Sequence, residues 1–294
     1  MYKSLLLGCL TVCAAAGLAQ PVLEAPTPPP NGYAGQILAA DFIEPTAGSD
    51  EAQSWDFSGV NGSVFSNMGM NPASTSVFAP EYPGAEWVVS VGDQLSFLDY
   101  TELGVTVFGN ANSANGVALT FEDPLVQWPL PAEFGFSHED AFSVDQMLFD
   151  EPYSLLGNVT CTGDAWGSIV LPNGTTIGEV LRVNYSQFYV ESYSGDTAQW
   201  TLDQVMYLAP DSALPVFFHE ELTVTDNQGE VLLTASDVAW YDNTVLGIGE
   251  EAVLSASAWP NPVQQGAFLN LNGARKGAHI MDLGGRTVWT LSTG

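Results

Sequence analysis

Basic residues are nearly absent from this chain. Of its 294 residues, five are Lys or Arg and 34 are Asp or Glu. Four of the five lie near the chain ends: Lys3, Arg275, Lys276 and Arg286. Between residues 20 and 251 the single basic side chain is therefore Arg182. Proteins bind nucleic acids largely through Lys and Arg that neutralise phosphates. We expect no nucleic-acid partner.

Cysteine and histidine are also scarce, which excludes several chemistries. Only three histidines occur, His138, His219 and His279, and none belongs to a His-Glu-x-x-His zinc motif. The chain also lacks a Gly-x-Ser-x-Gly elbow, a P-loop and a dinucleotide-binding fingerprint. We expect no cofactor. Of the three cysteines, Cys161 is the one outside the apolar N-terminal stretch, and its neighbours alternate as in a strand. It is predicted to be a buried, unpaired residue.

The first residues have the pattern of a secretory signal peptide. Lys3 supplies a positive charge, an apolar run follows from Leu5 to Leu18, and small residues precede the predicted cleavage between Ala19 and Gln20. A membrane-spanning helix needs about 20 apolar residues. We therefore expect export without stable membrane insertion. Leu6-Leu7-Gly8-Cys9 has local features of a lipobox, but too few apolar residues precede it for a normal signal.

The central part of the chain has the pattern of an all-β protein. A Pro-rich stretch at residues 20–34 is predicted to be an extended spacer. From residue 35 to 251, short β-branched and aromatic runs alternate with Gly, Asn, Asp and Pro, and no sustained helical period is present. We predict an antiparallel β-sandwich or a partly closed barrel with little helix.

Local signals place several strands and turns in this acidic body. Strands are predicted at 87–91, 94–98 and 105–108. Pro172-Asn173-Gly174 is predicted to turn a hairpin, because Asn-Gly tolerates the positive φ angles of a tight turn. A second hairpin is predicted to turn at Asp226-Asn227-Gln228-Gly229.

The C-terminal segment, residues 252–294, differs from the body in composition and motifs. Two motifs stand out: Ala258-Trp259-Pro260-Asn261-Pro262, and Asp282-Leu283-Gly284-Gly285-Arg286-Thr287-Val288. The prolines favour an extended entry. The glycine pair permits a tight turn between Ile280–Leu283 and Thr287–Trp289.

These motifs resemble the type A C-terminal sorting domain of proteins exported by the type IX secretion system of Bacteroidota. The resemblance covers about forty residues and implies a small Ig-like β segment. It also implies contact with the secretion machinery and delivery to the medium or the outer cell surface of a Gram-negative bacterium. Members of this family continue into further strands and a basic tail, whereas this chain stops at Gly294. An incomplete sorting domain is therefore expected. The body resembles uncharacterised cargo of this class.

Candidate ligand contacts in the body are few. Tryptophan can stack on sugar rings, which directs attention to Trp87 and Trp166, and the lone base Arg182 can clasp a carboxylate. The alternative for Arg182 is a structural ion pair with Glu179 or a cross-strand acid. Asp226 and Glu230 are weak calcium candidates, because Asp and Asn also serve ordinary turns.

Glycoside hydrolysis needs only two carboxylates that flank a cleft. Two adjacent acid pairs are candidates, Glu139-Asp140 beside His138 and Glu220-Glu221 beside His219. Adjacent strand residues face opposite sides, so only one member of each pair can serve a given site. We favour an exported, non-catalytic protein with a binding or structural role, with extracellular glycan as the candidate ligand. The alternatives are a polysaccharide hydrolase and a calcium-dependent adhesin module.

Overall fold

The computed structural model describes residues 20–28, 32–210 and 212–242, together with the backbone of four short strands between residues 257 and 290. The chain divides into two compact units, residues 1–245 and 246–294. The predicted all-β class is confirmed, because the described part of the first unit is built from strands and two short 3-10 helices, Ala73–Thr75 and Ala79–Glu81. None of the helices in these residues has the length and apolar character that a bilayer crossing requires.

The strands of the first half of this unit are β1 (Val22–Leu23), β2 (Tyr33–Asp41), β3 (Gln53–Asp56), β4 (Ser63–Pro72), β5 (Trp87–Val91), β6 (Gln94–Thr101), β7 (Gly104–Asn112) and β8 (Val117–Trp128). The second half contains β9 (Ala132–Glu133), β10 (Ser137–Leu148), β11 (Glu151–Val170), β12 (Thr176–Tyr193), β13 (Asp196–Leu208), β14 (Phe217–Asp226) and β15 (Val231–Asp242). The strand predictions at 87–91, 94–98 and 105–108 therefore correspond to β5, β6 and β7.

Thirteen of these strands form one sheet. Twelve of them follow the order β10-β11-β12-β13-β14-β15-β2-β4-β5-β6-β7-β8, with antiparallel neighbours throughout. The thirteenth, β3, pairs in parallel with the end of β11. The sheet curls so that its two edge strands, β8 and β10, lie side by side. No backbone ladder joins β8 to β10, so the described sheet is not a closed barrel.

Period-two alternation determines which side chains enter the main core. On β11 the odd-numbered residues from Tyr153 to Cys161 are buried, and most of the residues between them are exposed. We call the side that carries Val159 the inner face and the opposite side the outer face. On the inner face, Met70, Val107 and Phe121 from β4–β8 share one core with residues of β10–β13. The two halves of the sheet therefore pack across a common interior, as in a sandwich.

Two of the three smaller cores contain buried aromatic side chains. The first contains Trp55 and Phe57, contributed by residues 42–62, which pack on Tyr207, Phe217 and other residues of the outer face. The second buries Tyr82 and Phe97 where the two 3-10 helices meet the sheet. Both predicted hairpin turns are present. Gly174 has a φ of 82° between β11 and β12, and Gly229 has a φ of 81° between β14 and β15.

Residues 20–28 are part of the first unit, which corrects the prediction of a spacer at 20–34. Val22 and Leu23 pair with β9, and the Leu23 side chain is buried in the main core. Because Leu23 packs into the core, the proline content of this stretch did not correctly predict an extended spacer.

In the second unit, four short strands have a described backbone: β16 (Ser257–Trp259), β17 (Asn270–Asn272), β18 (His279–Met281) and β19 (Thr287–Thr290). They form two antiparallel pairs, β16 with β17 and β18 with β19. The second pair joins parts of the two strands that were predicted to flank a turn at Gly284-Gly285. Several predicted functional positions lie outside the described residues: Ala19, Pro260, Asn261, Pro262, Asp282, Gly284, Gly285 and Arg286.

Candidate functional site

A cleft of about 310 Å³ lies on the outer face of strands β11–β14. One wall is formed by Phe42 and Pro45, from the segment that leaves β2. Its floor presents polar side chains from four neighbouring strands: Thr160, Thr162, Asn184, Ser186, Asp203 and Glu221. We call this site the outer cleft. It combines hydroxyl, amide and carboxylate groups, which can form hydrogen bonds with a polar ligand.

Strand register brings these residues together from distant parts of the chain. Thr160 lies opposite Ser186, Ser186 opposite Asp203, and Asp203 opposite Glu221. This row therefore crosses four strands on one side of the sheet. A second row, two residues further along, contains Asn184 and His219. A polar surface results because both rows occupy outward positions.

Asp203 and Glu221 are the two exposed acids of the outer cleft. Residues directly opposite each other in an antiparallel pair have Cβ atoms about 4.5–5.5 Å apart, and like charges in such positions are destabilising. Neither carboxylate belongs to an ion pair among the described residues. The cleft therefore contains a concentrated negative charge that the described fold does not neutralise.

His219 lines the outer cleft and is 2% exposed. Its Nδ1 lies 2.7 Å from the carbonyl oxygen of Ile43. Because a carbonyl only accepts, Nδ1 carries the proton and Nε2 carries the lone pair. No group in the described structure bonds to this buried Nε2. Burial, and secondarily the charge of Arg182, lower the pKa of His219, while the bond to Ile43 opposes this shift.

Arg182 lies on the outer face of β12, where Thr46 and Trp55 of the segment that follows β2 help to bury it. Its Nε donates to Asp164 Oδ1 at 2.8 Å, its Nη2 donates to Asp164 Oδ2, and its Nη1 donates to the carbonyl of Thr46. The guanidinium also lies 6.0 Å from the centre of the Trp55 ring. The predicted ion pair with a cross-strand acid is confirmed, with Asp164 as the partner. With 2% of Arg182 exposed, its charge is engaged inside the protein.

The body tryptophans offer no exposed ring. Trp166 is buried in the main core and Trp87 is half-buried against it. Trp55, Trp128 and Trp240 are buried, and Trp200 is half-buried. The structure thus places the predicted ligand contacts Trp87, Trp166 and Arg182 away from the outer cleft, and it does not bring them together at a surface.

Three of the remaining acidic and histidine candidates, Asp226, His138 and Asp140, have structural partners. Asp226 Oδ1 accepts the backbone N–H groups of Gln228 and Glu230, so it stabilises its own turn. His138 and Asp140 bond to the backbone of Val126 on β8. In the described residues no group of three or more His, Cys, Asp or Glu side chains is arranged to hold a metal ion.

The acid pair Glu220-Glu221 divides between the two faces, as adjacent strand residues must. Glu221 points into the outer cleft, whereas Glu220 accepts a hydrogen bond from Gln204 on the inner face. Sequence reasoning named Glu221 and His219 but missed Asp203, Asn184, Ser186 and Thr160. The sequence does contain one signal for these cleft residues, because they are polar residues at alternate positions along successive strands.

No protein-family model, no curated protein and no solved structure matches this chain.

Proposed function

We propose that this chain is an exported protein of the cell surface or the medium, and that its outer cleft binds extracellular polysaccharide without cleaving it. The observation that carries the binding proposal is the row of Thr160, Ser186, Asp203 and Glu221 along the cleft floor. Hydroxyl and carboxylate groups at regular spacing can form hydrogen bonds with the ring hydroxyls of a sugar chain. The strong negative charge of the body argues against anionic polysaccharides as the ligand.

The export proposal is supported by the signal-peptide pattern and by the resemblance of residues 252–294 to a type A sorting domain. A strain with a functional type IX system, expressing the chain with an epitope tag inside the exposed 172–175 turn, tests it. Tagged protein in the medium or on intact cells, with Gln20 as its N-terminal residue, supports export. Retention in the cytoplasm or periplasm contradicts it.

Glycoside hydrolysis remains the second candidate, because Asp203 and Glu221 lie opposite each other in one cleft. A separation of about 5 Å between carboxyl groups is typical of retaining glycosidases. Both side chains are exposed, however, whereas a general acid needs surroundings that keep it protonated near neutral pH. This exposure favours binding over cleavage.

Retention of the purified protein on insoluble polysaccharides, with released reducing sugar measured in the same tubes, separates the two functions. We expect retention without sugar release on at least one of cellulose, chitin, chitosan, xylan and mannan. Sugar release that disappears in Glu221→Gln establishes the hydrolase instead. Neither retention nor release on any of these materials contradicts both carbohydrate functions.

A pair of matched variants locates the binding surface. Ser186→Trp places a large ring on the floor of the outer cleft, and Ser154→Trp places the same ring elsewhere on the outer face. We expect Ser186→Trp to abolish retention and Ser154→Trp to preserve it. Equal retention by both variants places the binding surface outside this cleft.

A further inference from the structure

Residues 42–57, which we call the strap, leave β2 and cover part of the outer face. Trp55 and Phe57 are buried against Tyr207 and Phe217 of the sheet. Within the strap, β3 pairs with the end of β11. The part of the strap that precedes β3 contains no strand, so side chains of the sheet hold it in place.

Two of these side chains bind carbonyl groups of the strap. His219 Nδ1 donates to the Ile43 carbonyl at 2.7 Å, and Arg182 Nη1 donates to the Thr46 carbonyl. Four aromatic rings, two from the strap and two from the sheet, have centroids 5.4–6.2 Å from that of the His219 ring: Phe42, Phe57, Tyr207 and Phe217. The imidazole is therefore buried between the strap and the sheet.

A second ring proton on His219 finds no acceptor in these surroundings. Nδ1 already carries one proton, so the second goes to Nε2, which is buried and has no partner among the described residues. Burial, and secondarily the charge of Arg182, lower the pKa of His219, while the bond to Ile43 opposes this shift. Burial of a charged group without a hydrogen-bond partner is costly. Opening of the strap removes this cost because water then reaches the ring.

The buried groups that face His219 do not compensate the second proton. On β12, Arg182 is itself a cation, and its partner is Asp164. On β13, burial raises the pKa of Tyr207 to about 12, so its hydroxyl stays neutral. On β15, the residue opposite His219 is the apolar Val238.

The carboxylates nearest to His219 are exposed. Asp203 and Glu221 line the outer cleft beside it, and Glu44 follows Ile43 in the strap. All three carboxylates lie in water, which together with salt screens their attraction for a buried imidazolium. They therefore offset little of the cost of protonating the ring.

From this arrangement we propose that the strap is an acid-sensitive device, in which uptake of a second proton by His219 releases the strap from the outer face. Release exposes Tyr207, Phe217 and the apolar residues around them. It also removes one wall of the outer cleft, which Phe42 and Pro45 form. The device belongs to the fold itself and does not depend on polysaccharide binding.

The direction of the pH response follows from linkage. Because the closed strap lowers the pKa of His219, the neutral ring stabilises the closed form fully above the pKa of the open form. This stabilisation is lost progressively as the pH falls from there through the pKa of the closed form. An exposed histidine has a pKa of about 6.5. The ratio of open to closed strap should therefore rise about tenfold between pH 7.5 and pH 5.5.

Hydrogen exchange of the full purified protein at these two pH values measures the opening. The probes are the amides of β3 and of Phe57, whose N–H donates to the Val170 carbonyl at 2.8 Å. Amides of the β11–β12 ladder are the internal reference, and all rates are corrected for the intrinsic pH dependence of exchange. We expect the protection of the strap amides to fall about tenfold at pH 5.5, while the ladder keeps its protection.

Four variants assign the response. His219→Phe and His219→Gln remove the titrating ring, and the Gln side chain retains an N–H that can donate to Ile43. In both variants the protection of the strap should no longer depend on pH. His138→Gln removes a histidine of β10 and should keep the response of the parent protein. Gly167→Ala is the positive control, because a Cβ at this position would clash with the backbone of Gln53 in β3, so the strap should be open at both pH values.

Nitrogen NMR of the histidine rings gives a second readout. The His219 signals are identified by their absence in the two His219 variants. At pH 7.5 we expect a neutral ring with its proton on Nδ1, as the bond to Ile43 requires. A ring that is already doubly protonated at this pH, or one that carries its proton on Nε2, overturns the proposal.

The exchange results are equally decisive. Strap protection that does not change with pH in the parent protein, while Gly167→Ala loses it, overturns the proposal. A pH response that persists in both His219 variants, or that disappears in His138→Gln, shows that another group controls the strap. Equal loss of protection in the strap and in the β11–β12 ladder shows that acid unfolds the whole sheet, and the strap is then no separate device.

Discussion

Asp140 on β10 accepts the backbone N–H of Val126 on β8 at 2.6 Å. The Val126 carbonyl is in turn bonded by His138 Nε2 at 2.9 Å. The side chains of Asp140 and His138, on edge strand β10, thus bind both the N–H and the carbonyl of Val126, on edge strand β8. Gln146 adds a further bond from β10 to the carbonyl of Ala118. Side-chain hydrogen bonds, and not a backbone ladder, therefore join the edge strands β8 and β10. We call this line of contact the seam.

The first prediction concerns this seam. Asp140→Ala leaves the Val126 N–H without its acceptor, which we expect to lower the free energy of unfolding by about 1–3 kcal/mol. Hydrogen exchange at the Val126 amide should accelerate more than exchange at amides inside the β11–β12 ladder. Ser143→Ala is the control, because it removes only the exposed bond to Glu122 on the same seam. Equal exchange at Val126 in the two variants would contradict the role of Asp140.

A second prediction concerns the buried ion pair. Arg182→Met removes the partner of Asp164, and breaking a buried pair in this way typically costs about 3–5 kcal/mol. Asp164 keeps 22% of its side chain exposed, so the residual charge is partly hydrated and we expect about 3 kcal/mol. Denaturant unfolding measures the change.

The double variant Arg182→Met with Asp164→Leu separates the causes of that loss. If the uncompensated carboxylate is responsible, the double variant should recover most of the lost stability. If the double variant is no more stable than the single one, the loss arises from the packing of Arg182 against Trp55 and from its bond to Thr46.

Features that depend on local interactions were predicted from the sequence, whereas features that depend on contacts between distant residues were not. The turns at Asn173-Gly174 and Asp226–Gly229 were predicted because their signals are local. An acidic partner for Arg182 was predicted from charge, since the residue is otherwise surrounded by acids. Its identity was not, because Asp164 lies at a register shift between Gly163 and Ala165 that no local pattern reveals.

The outer cleft could not be assembled from sequence for a similar reason. Its central pair, Asp203 and Glu221, depends on the register of β13 against β14. Residues 209–216 join these strands without a tight-turn signal that would set the register. The burial of most tryptophans agrees with their general tendency to be buried, and curling of the sheet gives each half of it an apolar partner.

A third prediction concerns the pH dependence of stability. Burial, and to a lesser degree the nearby Asp237 carboxylate, raise the pKa of Glu220, and the hydrogen bond from Gln204 offsets part of this shift. The folded protein therefore holds the Glu220 proton to a higher pH than the unfolded chain does. Its stabilising contribution is complete below the unfolded pKa and is lost as the pH rises through the folded pKa.

Glu220→Gln tests this linkage because it keeps the shape of the side chain and removes its titration. We expect the variant to gain stability relative to the parent protein as the pH rises from 4 to 8. The exposed Glu179→Gln serves as the control for the loss of one surface carboxylate. A parallel pair of curves for Glu220→Gln and the parent protein would show that Glu220 titrates normally in the fold.

The last prediction concerns an open edge of the sheet. Residues 231–236 of β15 pair with β14 on one side, and on the other side the described residues provide no partner because β2 pairs only from Asp237 onward. This stretch is exposed throughout and contains Val231, Leu232 and Leu233 without a charge, Pro or Gly. Such an edge can pair with another chain.

The chain's net charge of −29 opposes that pairing, and salt weakens the opposition because it screens the repulsion. We therefore expect aggregation of the protein to accelerate when sodium chloride is raised, and Leu232→Lys to suppress the acceleration. The variant should change the free energy of unfolding by less than about 0.5 kcal/mol, since the residue is exposed. Leu103→Lys, at another exposed position in the β6–β7 turn, is the matched control for added charge. Because both variants change the net charge equally, suppression by Leu232→Lys alone identifies the β15 edge as the site of association, and equal suppression by both attributes it to charge.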